Sequence, residues 1–251
     1  PIPVTQDREI QELAADNKKA LDFKVAVAPA VIEEERELEH KHSAVAPVEP
    51  VDIQQAIVSA WQNFAVFKEA VPLEEDFSAN SFDAARKRKV DIIAVPRISR
   101  AEVYYAGTSK WYWPNVVLWF FLDAASWFVA DEIYGLQLDG TLDFYSVYTK
   151  KKLCSFPLSG EVRAPLDDFQ RGWKIWGILR VPSSLGKENW KKVTQTLKPH
   201  VLERIKASAL KVGWRDFAGF SAKKEFKEKF KPMDVAVKRP GPHDRKPPRV
   251  T

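Results

Sequence analysis

Few residues in this chain have the type and spacing that chemistry requires. His40 and His42 form the only close pair among four histidines. A structural metal site needs about four well-placed ligands, so HKH, at the end of an acidic run, is expected to be solvated loop. His200 falls within a long helical pattern and is read as a surface residue, not a base. Cys154 is the only cysteine, which excludes an internal disulfide and any Cys-rich metal site. It alternates with Phe156 and Leu158, where a free thiol behaves as a small apolar group. Asp139 and Asp143 share one strand face, as paired carboxylates would, but alternating acids on a hairpin normally form its solvent side. Asp167 and Asp168 are expected only to start a turn. G-x-S-x-G, G-x-x-x-x-G-K-[ST] and G-x-G-x-x-G are all absent, which removes the simplest hydrolase, NTPase and dinucleotide-binding readings. The expectation is a non-enzymatic protein with no catalytic residue, cofactor or metal.

The chain is organised instead around Trp111 to Glu132, WYWPNVVLWFFLDAASWFVADE, which is too apolar for an exposed loop. With Pro114 in the first turn, a period of 3.6 puts Val117, Phe120, Phe121, Ala124, Trp127 and Phe128 on a wide apolar arc. Asn115, Asp123 and Ser126 share a narrow polar one. A helix from Pro114 to Ala130 rises about 25 Å at roughly 1.5 Å per residue, against a bilayer core of about 30 Å. Trp111, Trp113, Trp119 and Trp127 are of the type enriched at membrane–water boundaries, so a helix lying in the interface fits better than one crossing it. Contact with another subunit and packing into the protein's own core are the alternatives. The contact set is therefore Trp111, Trp113, Val117, Trp119, Phe120, Phe121, Trp127 and Phe128.

Composition sets the frame. The 251 residues are 45% hydrophobic and 29% charged, which is globular. The net charge of +5 belongs to one end, because Ser221 to Thr251 holds ten Lys or Arg against four Asp or Glu. Lys238, Arg239, Arg245, Lys246 and Arg249 are the candidate partner-binding residues of this Pro-rich tail. No basic stripe interleaved with aromatics occurs elsewhere, so nucleic acid is not an expected partner. Pro1 stands where Met would begin a chain, and removal of a leader or tag is expected.

The elements that must carry the aromatic stretch follow from periodicity. Thr5 to Leu21 reads as a short helix and Phe23 to Ile32 as a buried strand. Glu33 to Pro50 reads as a long arm able to wrap a neighbour. Val51 to Phe64 is a helix with Ile53, Ala56, Ile57, Ala60 and Trp61 on one stripe. Val66 to Leu73 is a short strand, Asn80 or Ser81 caps a helix to Lys89, and a strand from Val90 continues past Pro96, which suggests an edge or a bulge. Leu136, Leu138, Leu142 and Phe144 alternate with polar residues, and Cys154 to Val162 repeats the pattern, giving an antiparallel hairpin. Lys187 to Val212 is a long amphipathic helix containing Pro199, expected to bend there. Trp173, Trp176, Ile178 and Leu179 are expected to be buried. The expected organisation is an N-terminal helix, strand and arm at 1–50, a core domain at 51–213 with the insertion at 111–132, and a basic tail at 214–251. The expected fold class is an α+β sandwich: a mixed, mainly antiparallel sheet with helices packed on it, an aromatic helical insertion between strands, and a long C-terminal helix.

The order of FKVAVAPAVI, DIQQAIVSAWQNF, VFKEAVPL, SFDAARKRK, VDIIAVPRI and the hairpin LQLDGTLDFYSVYTKKKLCSFPLSGEV resembles a group of bacterial envelope lipoproteins. The group shares the α/β domain of the amino-terminal part of TolB, the curli-export pore subunit, the lipoprotein activators of peptidoglycan synthases, and PelC. The likeness rests on the paired Ala84 and Ala85 running into Val90, Asp91, Ile92 and Ile93, and on the hairpin with its Thr-Lys turn. It covers roughly Phe23 to Arg163. Pro96 stands where such proteins often have glycine, and the aromatic stretch is an insertion that most of them lack.

The resemblance implies a periplasmic, outer-membrane-associated protein whose precursor carried a lipidated cysteine before Pro1. Combined with the aromatic stretch, it leads to an expected homo-oligomeric, ring-like structural subunit of an envelope-spanning machine, serving secretion, polysaccharide export or a flagellar collar. Its expected partners are copies of itself, the inner leaflet of the outer membrane and other components of that machine. The rival expectations are a monomeric regulator of a cell-wall synthase and a soluble ligand-binding protein whose aromatic segment lines a pocket.

Overall fold

The computed structural model describes residues 8–16, 20–33, 38–172 and 185–230. The tail residues Lys238, Arg239, Arg245, Lys246 and Arg249, and Trp173, Trp176, Ile178 and Leu179, lie outside the described residues.

Valine- and isoleucine-rich segments build one sheet because their branched side chains pack well on a pleated surface. Its central strand is β5 (Ile92–Thr108). On one side of it lie β1 (Leu21–Val27), β2 (Val31–Ile32) and β3 (Ser43–Val45) in succession, the first two parallel and the third antiparallel to β5. β4 (Phe67–Pro72) pairs parallel with β1 at the edge. On the other side, β6 (Glu132–Ser146) and β7 (Lys152–Leu166) continue the sheet antiparallel, giving the order β4-β1-β5-β6-β7. This is the expected mixed, mainly antiparallel sheet, with the expected hairpin as β6 and β7.

Alternation along β5 divides the interior. Ile92 and Ala94 enter the main core, while Ile93 and Val95 enter a smaller cluster with Phe82 and Ala85 of α3 (Ser81–Lys87). The main core lies between the sheet and two helices, α2 (Pro50–Asn63) and α6 (Lys187–Lys211). Trp61 of α2 is fully buried against Phe67, and its indole N–H donates to the Ala209 carbonyl of α6 at 3.0 Å. Truncating such a residue to alanine typically costs about 3–5 kcal/mol. After α6 the helix continues as a π turn, Val212–Phe217. A Cβ at Gly213 would stand 2.5 Å from Val66 Cγ1, so glycine lets this turn approach Val66, just before β4, so closely.

Several expectations shift. The described part of the first helix, α1, is Arg8–Asp16, and Leu21, expected to end that helix, belongs to β1. The strand expected over 23–32 is interrupted into β1 and β2, both alongside β5. Pro96 is not at an edge. It sits in the central strand opposite the break between the β1 partner Ala94 and the β2 partner Arg97, where a missing N–H costs the ladder least. From residue 38 the arm folds onto its own sheet. β3 pairs with β5, and buried Glu102 accepts the backbone N–H groups of Glu39 and His40 at 3.1 and 2.9 Å. Burial works against ionising Glu102, but these donors prevail and hold its carboxyl below the usual range. His40 is half-buried, its ring stacked on Tyr104 at 3.7 Å, and is no solvated linker residue. Nor is Asp143 on a wet face: it is buried, paired with Arg97 and Lys152 at 3.0 and 2.8 Å. Finally, Trp214, Phe217, Phe220, Phe226 and Phe230 are buried in the main core. The last two lie on α8 (Lys224–Phe230), which follows the short α7 (Ala218–Ser221). The folded body therefore includes the chain from 214 to Phe230, beyond the boundary expected at 213, because these aromatics close the core around Phe23 and Phe144.

Candidate docking surface

The insertion occupies the far end of the β5–β6 hairpin. Its two ends are cross-strand neighbours: Thr108 pairs with Glu132, and the Ser109 N–H donates to the Asp131 carbonyl at 2.7 Å. A straight helix of about 25 Å cannot start and finish at two points one strand spacing apart, about 5 Å. The expected continuous helix is therefore broken. α4 (Tyr112–Phe121) ends at Leu122, whose φ of −143° and ψ of 58° are not helical, and the chain returns through the short α5 (Asp123–Ser126).

α4 carries its hydrophobic stripe outward. Trp113, Val117, Phe120 and Phe121, spaced i, i+4, i+7 and i+8 on one face, are exposed, with Phe121 at 80% and Trp113 at 74%. Trp111, Leu122 and Phe128 extend the surface, and Phe169, beyond β7, packs its ring against Phe128 at 5.0 Å and Trp127 at 6.5 Å. Of the eight expected contact residues, six are thus exposed. Trp119 and Trp127 are half-buried, their indole N–H groups enclosed and without an acceptor among the described residues. Those two rings stand behind the surface and support it.

The polar side of α4 faces the body, the reverse of an ordinary soluble amphipathic helix. Asn115 is buried and donates through Nδ2 to Asp131 Oδ2 at 2.9 Å. Ser126 of α5 is buried as well. Asp131 belongs to a charged cluster assembled from two segments far apart in the sequence. The Arg171 guanidinium, its side chain 4% exposed, meets Asp131 at 3.1 Å and also pairs with Glu132 and Asp168. Glu132 in turn accepts the Tyr134 hydroxyl at 2.6 Å. Burial pushes the Asp168 carboxyl up to about 6, with Asp131 and Glu132 adding to the rise and Arg171 opposing it. Burial also lowers the affinity of the Arg171 guanidinium for its proton, but the acids around it outweigh this and hold it firmly charged. The Tyr134 hydroxyl is pushed up by burial and by Glu132. Asn189 of α6 accepts no part in the charge but fixes the turn, donating to the Arg171 carbonyl at 3.0 Å.

Asp167 does cap a turn, accepting the Gln170 N–H at 2.8 Å. Asp168, expected to do only that, is an ion-pair member. The missed signal was the chain order Asp-Glu at the end of the insertion and Asp-Asp-x-x-Arg at the end of β7, two segments that the β6–β7 register brings side by side through Glu132 and Leu166. Cys154 lies partly buried against the core, as expected, and burial pushes its thiol up to about 12. Among the described residues, no helix is long and apolar enough to cross a membrane.

No family model matches the chain, and no curated protein matches it. Among solved structures, a PelC dodecamer from Paraburkholderia phytofirmans is similar at 10% identity and a TM-score of 0.33, over 73% of this chain and 90% of that one. A DUF330 protein from Xanthomonas campestris is similar at 10% identity and a TM-score of 0.40, over 79% and 86% respectively. A hypothetical protein from Chlamydia trachomatis is similar at 11% identity and a TM-score of 0.33, over 75% and 98%.

Proposed function

We propose that this protein is a non-enzymatic structural subunit of the bacterial envelope that docks on a membrane surface through its aromatic insertion and acts as a homo-oligomer. The observation that carries the docking reading is the inverted polarity of α4, with Trp113, Val117, Phe120 and Phe121 turned to the outside and Asn115 turned to the body. A single copy would hold an interface weakly, because α4 offers only ten residues and lies flat instead of spanning. Several copies with their insertions on one plane would multiply that affinity. The periplasmic face of the outer membrane, other components of an envelope-spanning machine as partners, and a role in secretion, polysaccharide export or a flagellar collar follow from the family resemblance of the sequence. A pocket-lining role is disfavoured by the same side chains, which point away from the body.

The test is flotation with phosphatidylcholine–phosphatidylethanolamine vesicles, alongside light scattering of the purified protein. Wild type should float and Phe121→Asp should stay at the bottom with an unchanged circular-dichroism melt. Wild type that does not float at any lipid concentration removes the docking reading, and a monomeric mass with vesicles absent and in detergent removes the oligomer.

A further inference from the structure

Among the described residues, three carboxylates share one buried guanidinium, a formal excess of two negative charges in a largely buried space. Asp131, Glu132 and Asp168 surround Arg171 with side-chain exposures of 12, 9 and 25%. Like charges this close disfavour one another's ionisation, so one member of such a set takes up a proton more readily than a free acid. The cluster also ties together the three pieces that hold the insertion in place. Asp131 and Glu132 are its exit into β6, Asp168 and Arg171 form the turn after β7, and Asn115 of α4 is bonded to Asp131. The Asp168 N–H donates to the Trp127 carbonyl at 3.3 Å, a second tie from the same turn to the insertion.

We propose that this cluster is a proton-operated latch under the aromatic surface: taking up a proton tightens the seat of α4 on the body and so strengthens membrane docking, and losing it loosens both. This inference rests on the docking reading for its second half only. Among the described residues, the groups facing Asp168 are Arg171 from its own turn and Asp131 and Glu132 at the start of β6. Beyond them, Tyr134 of β6 and Tyr105 of β5 stand around the same acids and guanidinium, and Tyr112 of α4 lies near Tyr105. Burial pushes the Tyr134 and Tyr105 hydroxyls up, away from neutrality, so the switch is assigned to the carboxylates.

The sign follows from linkage. Asp168 is raised in the seated form from 3.8 to about 6. The stabilisation from its proton is therefore fully present below 3.8 and is lost as pH rises through about 6. Between pH 5 and pH 7.5 the equilibrium for unseating the insertion should rise about tenfold. A seated insertion presents its apolar face already ordered, which lowers the entropic cost of docking.

Two measurements separate the halves. Hydrogen exchange without lipid, followed on the backbone of residues 112–128, should be about tenfold slower at pH 5 than at pH 7.5 after correction for the intrinsic rate. Asp168→Asn, which keeps the neutral form at every pH, should show the slow rate at both. Flotation with pure phosphatidylcholine vesicles, whose charge does not change over this range, should follow the same pattern. Equal corrected exchange at the two pH values, or an Asp168→Asn variant that keeps the wild-type pH dependence, overturns the latch. A latch seen by exchange with no flotation at either pH leaves the latch standing and refutes the docking reading instead.

Discussion

Arg171→Leu is the substitution that asks most of the structure. The guanidinium is the only cation in contact with Asp131, Glu132 and Asp168 among the described residues, and its side chain is 4% exposed. Leucine fills a similar stem volume but leaves the acids facing one another. Removing one partner of a buried ion pair costs about 3–5 kcal/mol, a large share of a domain stability of about 5–15 kcal/mol. At about 2–4 °C per kcal/mol for a body of this size, the melting temperature should fall by roughly 10 °C at pH 7.5. The loss should shrink at pH 5, because with the cation gone the carboxylates accept protons and shed their repulsion. Arg171→Lys keeps the charge but not the planar fork that reaches several acids at once, and should recover only part of the loss. Thermal melts at the two pH values decide the matter. An Arg171→Leu protein within about 1 kcal/mol of wild type at pH 7.5, or one no better off at pH 5, would refute the reasoning that Arg171 is the buried counter-charge holding these acids together.

Two further outcomes are expected. Gly140→Ala should destabilise severely and lower soluble yield, because a Cβ there would fall 1.9 Å from the Arg97 carbonyl oxygen at a bulge of the β5–β6 ladder, and backbone cannot move aside cheaply; denaturant titration reads the loss, and wild-type stability would contradict it. Cys154 should stay unreactive to a thiol reagent at pH 8 in the native protein, since burial pushes its thiol up to about 12, and should react fully once unfolded.

Much of the scaffold was legible along the chain. The i, i+4, i+8 stripe through Ile53, Ile57 and Trp61 and the alternation through Leu136, Leu138, Leu142 and Phe144 each report a buried face, because helix and strand repeat with different periods. Both patterns reappear as α2 and β6. The aromatic stretch was legible as something that needs a partner, since nothing in water stabilises that many exposed rings. What periodicity could not say is which side of the stretch would face the body. It predicts an arc, not the direction in which the arc is turned.

That direction depends on contacts between residues far apart in sequence. Ser109 and Asp131 must meet at the hairpin's end, which breaks the helix at Leu122. Asp131 is also where Asn115 and Arg171 converge, 16 and 40 residues away. Composition likewise assigned Trp214 to Phe230 to a basic tail, because lysines and glutamates there outnumber the aromatics, yet Phe217, Phe226 and Phe230 complete the core around Phe23. The sequence by itself determined the elements and the existence of an apolar insertion, since both are written in local spacing. Only the tertiary structure decided that the insertion shows its rings to the outside and sits on a buried set of charges, since ion pairing and chain closure act between segments that no local period connects.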